Sequence, residues 1–173
     1  MPTCPRCAFL ALILAFFAFA GCDTNNPGSS LEEVQGTYSV VALSFDPAEP
    51  QALADIDVLD DVESGTRIEV FGDGTATVRF EPLNGASQFV VGTARATSRT
   101  VTFTSRSDSD ADKLARILLP PSFSLNRDEV DATRLSADVL LNDVDLQTYD
   151  PGQYGGLTSV RGRLTIELDR VAD

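Results

Sequence analysis

A chain of 173 residues carrying 13 basic and 26 acidic side chains has a formal net charge of −13, a balance that argues against nucleic acid as a partner. It has no histidine and no tryptophan. Without histidine the commonest general base, the usual catalytic triads and most zinc and copper sites are gone, so the chain reads as a non-enzyme with no cofactor.

Arg6 precedes an unbroken apolar run from Ala8 to Ala20. The run is too short for a membrane-spanning helix, which takes about 20 residues, and suits the hydrophobic part of a secretory signal. It ends in Phe19-Ala20-Gly21-Cys22. Small residues directly before a cysteine resemble the lipobox of bacterial lipoproteins, with a departure at Phe19, where leucine is usual. The resemblance implies a signal peptide over 1–21 and a diacylglycerol thioether with an N-acyl chain, such as palmitate, on Cys22. It also implies a membrane-anchored protein of the cell envelope, outside the cytoplasm on the periplasmic or surface face. The bland alternative is an ordinary signal peptide followed by a chance cysteine. Cys4-Pro5-Arg6-Cys7 has the spacing of a redox or metal motif but would leave with the leader. Residues 22–173 then keep Cys22 as their one cysteine, with 12 basic and 26 acidic side chains, so a hydrophobic core rather than a disulfide must stabilise the fold.

Residues 22–30 are polar with Pro27 and Gly28 and read as a flexible tether to a single β domain over 31–173. Gly36-Thr37-Tyr38 opens a first strand that continues through Val40, Val41, Leu43 and Phe45, a near-continuous apolar run that predicts burial on both faces at one end. Ala52, Leu53, Ile56, Leu59 and Val62 share one helical face between Pro47 and Gly65, which predicts a short helix. From Thr66 to Ser105 apolar and polar residues alternate in four segments around Ile68, Val78, Phe89 and Val101, with Gly72-Asp73-Gly74 and Pro82-Leu83-Asn84-Gly85 at the breaks. That is a hairpin meander with one wet face. Ser109 with Asp112 fits a capping box for a second helix that ends at Pro120-Pro121. Strands follow at Phe123 and Leu125, at Leu135 to Leu141, and at Leu164 to Leu168, the last two separated by a long loop over 142–159.

These segments make an all-β antiparallel meander of about eight strands with one or two short helices. Eight consecutive strands hide their edges by closing into an up-and-down β-barrel, whose interior can hold one small ligand. A two-sheet β-sandwich uses the same strand count and is the alternative. Gly36-Thr37-Tyr38 is similar to the Gly-x-Trp that begins the first strand of lipocalin-like (calycin) proteins, with Tyr in place of Trp. That resemblance implies a last-strand arginine, Arg161 or Arg163, packed over the Tyr38 ring. Against the pattern, no helix follows the last strand, and the segment around Ser109–Leu119 has no lipocalin counterpart.

Asp108, Asp110 and Asp112 have the alternate spacing of a calcium loop, but Lys113 stands where glycine is needed, and an acidic helix start explains them as well. Tyr149 and Tyr154, set among glycines in the long loop, suit a recognition patch or rings folded back into the protein. Inward-facing strand arginines would neutralise a carboxylate ligand, whereas outward ones pair across the sheet. The candidate ligand-binding residues are therefore Tyr38, Arg161, Arg163, Tyr149 and Tyr154. The expectation is a lipid-anchored binding module for a small apolar or amphipathic ligand. The alternative is a structural or interaction lipoprotein with a filled core and a protein partner in the envelope. The first requires an interior cavity and the second requires none.

Overall fold

The computed structural model describes residues 27–48, 53–83 and 85–172. The leader, Cys22 and tether residues 23–26 lie outside the described residues. Among the described residues nine strands follow in chain order: β1 (Gly36–Pro47), β2 (Ile56–Asp57), β3 (Arg67–Val70), β4 (Thr75–Phe80), β5 (Gln88–Ala96), β6 (Thr100–Ser105), β7 (Ser122–Arg127), β8 (Arg134–Val144) and β9 (Val160–Arg170). Apart from the two-residue β2, which joins β1 at Ser44 and Phe45, each strand pairs antiparallel with the next around a ring. The ring closes where β9 returns to β1, from Tyr38 opposite Arg170 to Pro47 opposite Gly162. The fold is thus a closed eight-stranded up-and-down barrel, the arrangement of lipocalins, and the sandwich alternative is excluded because both outer strands of the meander are paired.

The apolar run in β1 has a different cause from the expected two-sided burial. The register with β9 slips between Val40 and Ala42, so Val41 is the extra residue of a β-bulge and is 44% exposed. Tyr38 is buried before the bulge, and Leu43 and Phe45 after it. Alternation changes phase at the bulge, and a phase change writes consecutive apolar residues into the sequence.

Inside the ring, Phe45, Ile68, Val78, Val90, Phe103, Leu125, Leu135 and Leu164 form a continuous core with their neighbours. Tyr38, Phe45, Val78, Val90, Leu164 and Leu168 are each 0% exposed. A cavity wide enough for a ligand would give its lining side chains accessible surface, and these have none. The ladder is weakest between β7 and β8, where only Asn126 with Ser136 and Arg127 with Leu135 pair. There the inward Val139 and Leu141 stay partly exposed.

The two barrel ends differ. One carries the short turns at 71–74, 97–99 and 128–133 and is covered by helix α1 (Pro27–Val34). The last residues of the expected tether are therefore helical, and Val34 is buried in the core. The other end carries the long connections at 48–66, 81–87, 106–121 and 145–159. Among the described residues between Pro47 and Gly65 the expected helix is replaced by β2 and a 3-10 turn, Val58–Asp61, capped by Asp57, whose carboxylate accepts the Leu59 N–H at 3.0 Å; residues 49–52 lie outside them. Pairing Ile56 with Phe45 keeps the chain extended at Ile56 and Asp57, in the middle of the expected helical face. Helix α2 (Asp108–Ala115) starts two residues earlier than the Ser109 box: Ser107 is the cap, accepting the Asp110 N–H at 3.2 Å. A one-turn helix α3 (Leu146–Tyr149) lies within the long loop, capped by Asp145. Val58, Leu114, Ile117 and Leu146 from these pieces close the barrel at this end.

Candidate functional site

Loop length and charge both single out the second end. Among the described residues its four connections carry 11 acidic and three basic side chains, the latter Arg106, Lys113 and Arg116. Rigid strands that hold long loops at one end are the usual platform for recognition.

An open cleft of about 460 Å³ lies there between the 3-10 turn, the β4–β5 connection and the start of the long loop. Asp61, Leu83, Arg116, Tyr149 and Asp150 line it. The Tyr149 hydroxyl donates to Asp61 Oδ2, tying the long loop to the 3-10 turn. Its ring sits 6.2 Å from that of Tyr154, tilted by 32°. Asp150 shapes the loop by accepting the Gly152 and Gln153 N–H groups at 2.8 and 3.1 Å. Burial pushes both tyrosine hydroxyls above their ordinary range, and for Tyr149 the Asp61 carboxylate adds to it, because a phenolate there would face a like charge. Tyr149 and Tyr154 are thus brought together, and of the two Tyr149 lines the cleft. Tyr154 is buried behind Tyr149 rather than offered to solvent.

A second, mainly apolar groove of about 390 Å³ lies on the far side of the α2–β7 connection, where β7 and β8 diverge. Leu118, Pro120 and Pro121 form one wall, and Leu141 and Val144 the other. Leu118 has a left-handed backbone, with φ of 58°, at the point where α2 ends. Leu119 N–H reaches back to the Leu114 carbonyl at 3.1 Å across it, a closure that normally uses glycine. Burial of the Leu118 side chain offsets the strain.

The other expected site residues fall elsewhere. Tyr38 is in the core at the opposite end, and its hydroxyl donates to the Val34 carbonyl at 2.9 Å, the last residue of α1. Desolvation raises its pKa despite the nearby Arg170 and Arg127 charges. The last-strand arginine beside it is Arg170, not Arg161 or Arg163. Arg170 stands opposite Tyr38 in the β1–β9 register and donates to the carbonyls of Gln35 at 2.5 Å and Glu33 at 3.4 Å. Arg161 and Arg163 face outward, and Arg163 pairs with Asp138 at 2.7 Å. The alternation itself carries this correction: Leu164, Ile166 and Leu168 face inward, so even numbers continue to Arg170 and odd ones point to water. Asp108, Asp110 and Asp112 do not converge. Asp110 accepts from Ser107 Oγ at 2.7 Å and pairs with Lys113 at 3.1 Å, on the helix side away from Asp108 and Asp112. Among the described residues no three acidic, cysteine or histidine side chains gather as metal ligands. The grooves beside the α2–β7 connection were beyond reach of sequence patterns, since their walls are assembled from distant loops.

No protein-family model matches the chain, and no curated protein matches it in sequence. Among solved structures the chain is similar to a lipocalin-like protein from Bacteroides uniformis, at 10% identity over 76% of this chain and 97% of that one, with a TM-score of 0.42. It is also similar to an uncharacterized protein from Bacteroides eggerthii, at 9% identity over 75% of this chain and 97% of that one, with a TM-score of 0.34. Similarity at this level brings no ligand or partner to this chain.

Proposed function

We propose that the protein is a lipid-anchored envelope protein whose filled barrel is a rigid scaffold, and that its loop end docks a protein partner. The packed interior carries this reading: the inward side chains of Tyr38, Phe45, Val90 and Leu164 have no accessible surface, so the barrel lacks the room a carried ligand requires. The acidic loop end, with its open cleft and the half-exposed Leu83 on its rim, is the part of the molecule left to act.

The proposed anchor fits that orientation. Four residues lie between Cys22 and Pro27, so the five Cα steps span at most about 18 Å. Helix α1 covers the short-turn end, so a lipid on Cys22 would hold that end towards the bilayer and direct the loops away from it.

Two experiments test this. Palmitate labelling is expected in cells and is expected to vanish in Cys22→Ala. A photo-cross-linker at Leu83 is expected to give a discrete protein adduct, while the same probe at Val41 on the barrel wall or Val130 at the turn end gives none. Equal labelling of Cys22→Ala, or a lipid carried inside the barrel through native mass spectrometry, overturns the reading.

A further inference from the structure

The wall of the barrel is unfinished on one side. Beyond Ser136, β8 runs on to Val144, but β7 no longer pairs with it. Continuing the register of Asn126 with Ser136 would set Ser124 against Asp138 and Ser122 against Leu140, and neither pair forms. Among the described residues nothing pairs with that edge of β8 from Ala137 onward, while its other edge is laddered to β9 from Arg134 to Leu141 and again at Val144, with an irregularity between. A run of strand edge with unpaired N–H and C=O groups is a template for another strand.

The side chains around this edge agree with such a guest. The apolar groove opens at the same place and is lined by the partly exposed Leu141, two residues beyond Val139, which is partly exposed as well. Asp143 and Asp145 stand at its rim, and no basic residue lines it. Helix α2, with the exposed Asp108 and Asp112, precedes the opposite wall. An extended segment laid along β8 would place alternate side chains into the groove and the others among carboxylates.

We propose that the β7–β8 seam is a strand-addition site for an extended segment of a partner protein in which apolar residues alternate with lysine or arginine. Backbone pairing to β8 supplies affinity, the groove selects the apolar positions, and the acidic rim selects the basic ones. This deepens the reading of the loop end as a protein-docking face, and rests on that reading only for the class of partner.

The test is hydrogen–deuterium exchange on the full chain, with the peptide acetyl-Lys-Val-Lys-Leu-Lys-Val-Lys-amide as probe. In free protein the amides of 137–143 that point to the β7 edge are expected to exchange rapidly, those bonded to β9 slowly, and saturating peptide is expected to slow the first set about tenfold. A version N-methylated on the edge that would face β8 is expected to protect nothing. Leu141→Asp is expected to weaken half-saturation about tenfold. Asp143→Lys, an exposed change that leaves the fold alone, is expected to weaken it about threefold. The proposal is overturned if the first set stays unprotected, or if the N-methylated peptide protects equally. It is also overturned if protection rises with protein concentration alone, which assigns the seam to a second copy, or if oleate protects and the peptide does not. None of these arms involves Cys22 or Leu83, so their failure is distinguishable from failure of the anchoring and cross-linking experiments.

Discussion

The ring of Phe45 lies across Gly162 on the neighbouring strand, so close that a Cβ there would sit 2.7 Å from ring atom Cε2. The same Cβ would stand 2.5 Å from the Asp46 carbonyl oxygen. Phe45 is on β1 and Gly162 on β9, so the contact lies on the ladder that closes the barrel. Phe103 repeats the arrangement over Gly92 between β5 and β6, and its ring stacks on Phe123 at 5.2 Å. In both places the missing side chain makes room for an aromatic ring that fills the interior.

Gly162→Ala is therefore expected to destabilise the protein by about 1–3 kcal/mol, as overpacking of a filled core does. Urea unfolding measures it. Adding Phe45→Leu should recover only part of the loss, because the Asp46 carbonyl still crowds the site. An unchanged unfolding midpoint for Gly162→Ala would show that the ring is not seated there.

Tyr38 and Arg170 together hold α1 on the barrel through the carbonyls of Val34, Glu33 and Gln35. Arg127 adds an ion pair to Glu33 at 3.0 Å. Tyr38→Phe is expected to lower stability by about 1 kcal/mol, the net worth of one buried hydrogen bond. Arg170→Met is expected to raise amide exchange in 31–36 while leaving β3 to β6 protected. Equal loss of protection throughout the barrel would mean that α1 is not a separately docked lid.

All three tyrosines of the chain have raised pKa values, each with burial as the leading cause. The folded state holds these protons more tightly than the unfolded chain. Stability from this source is thus complete below about pH 10 and is lost as pH rises beyond it. In an alkaline titration followed by phenolate absorbance, no tyrosine should ionise near pH 10 while the protein is folded, and ionisation should coincide with unfolding. A single tyrosine titrating normally in folded protein would place Tyr149 or Tyr154 in solvent.

On the acid side the sign reverses. Ser107 Oγ–H holds Asp110 below the usual carboxylate range, the Thr75 backbone N–H does so for Asp73, and the Asp131 and Val130 N–H groups do so for Asp128. These depressed values make the unfolded chain the better proton acceptor, so stability is present above about pH 4 and falls as pH drops through the folded values. Asp110→Asn should flatten part of that fall, as read from thermal midpoints between pH 5 and 2. An unaltered slope would remove Asp110 from the acid response.

Alternation along single strands was readable from residues alone: Leu164, Ile166 and Leu168 face inward as their spacing requires, and Gly72-Asp73-Gly74 forms the turn it promises. The same rule, followed one residue pair further, points to Arg170. Three-dimensional packing settled the rest. Closure joins β1 to β9 across more than a hundred residues, and no local pattern encodes which distant edges meet. Whether the barrel is hollow or full depends on how far rings such as Phe45 and Phe103 reach across it, which needs the glycines opposite them to be in register. Nor do the residues of β7 and β8 announce that their ladder stops after two pairs. The Pro120-Pro121 connection and the buried Leu118 line a groove with Leu141 and Val144 there, an arrangement that follows from how separate segments share space rather than from any one of them.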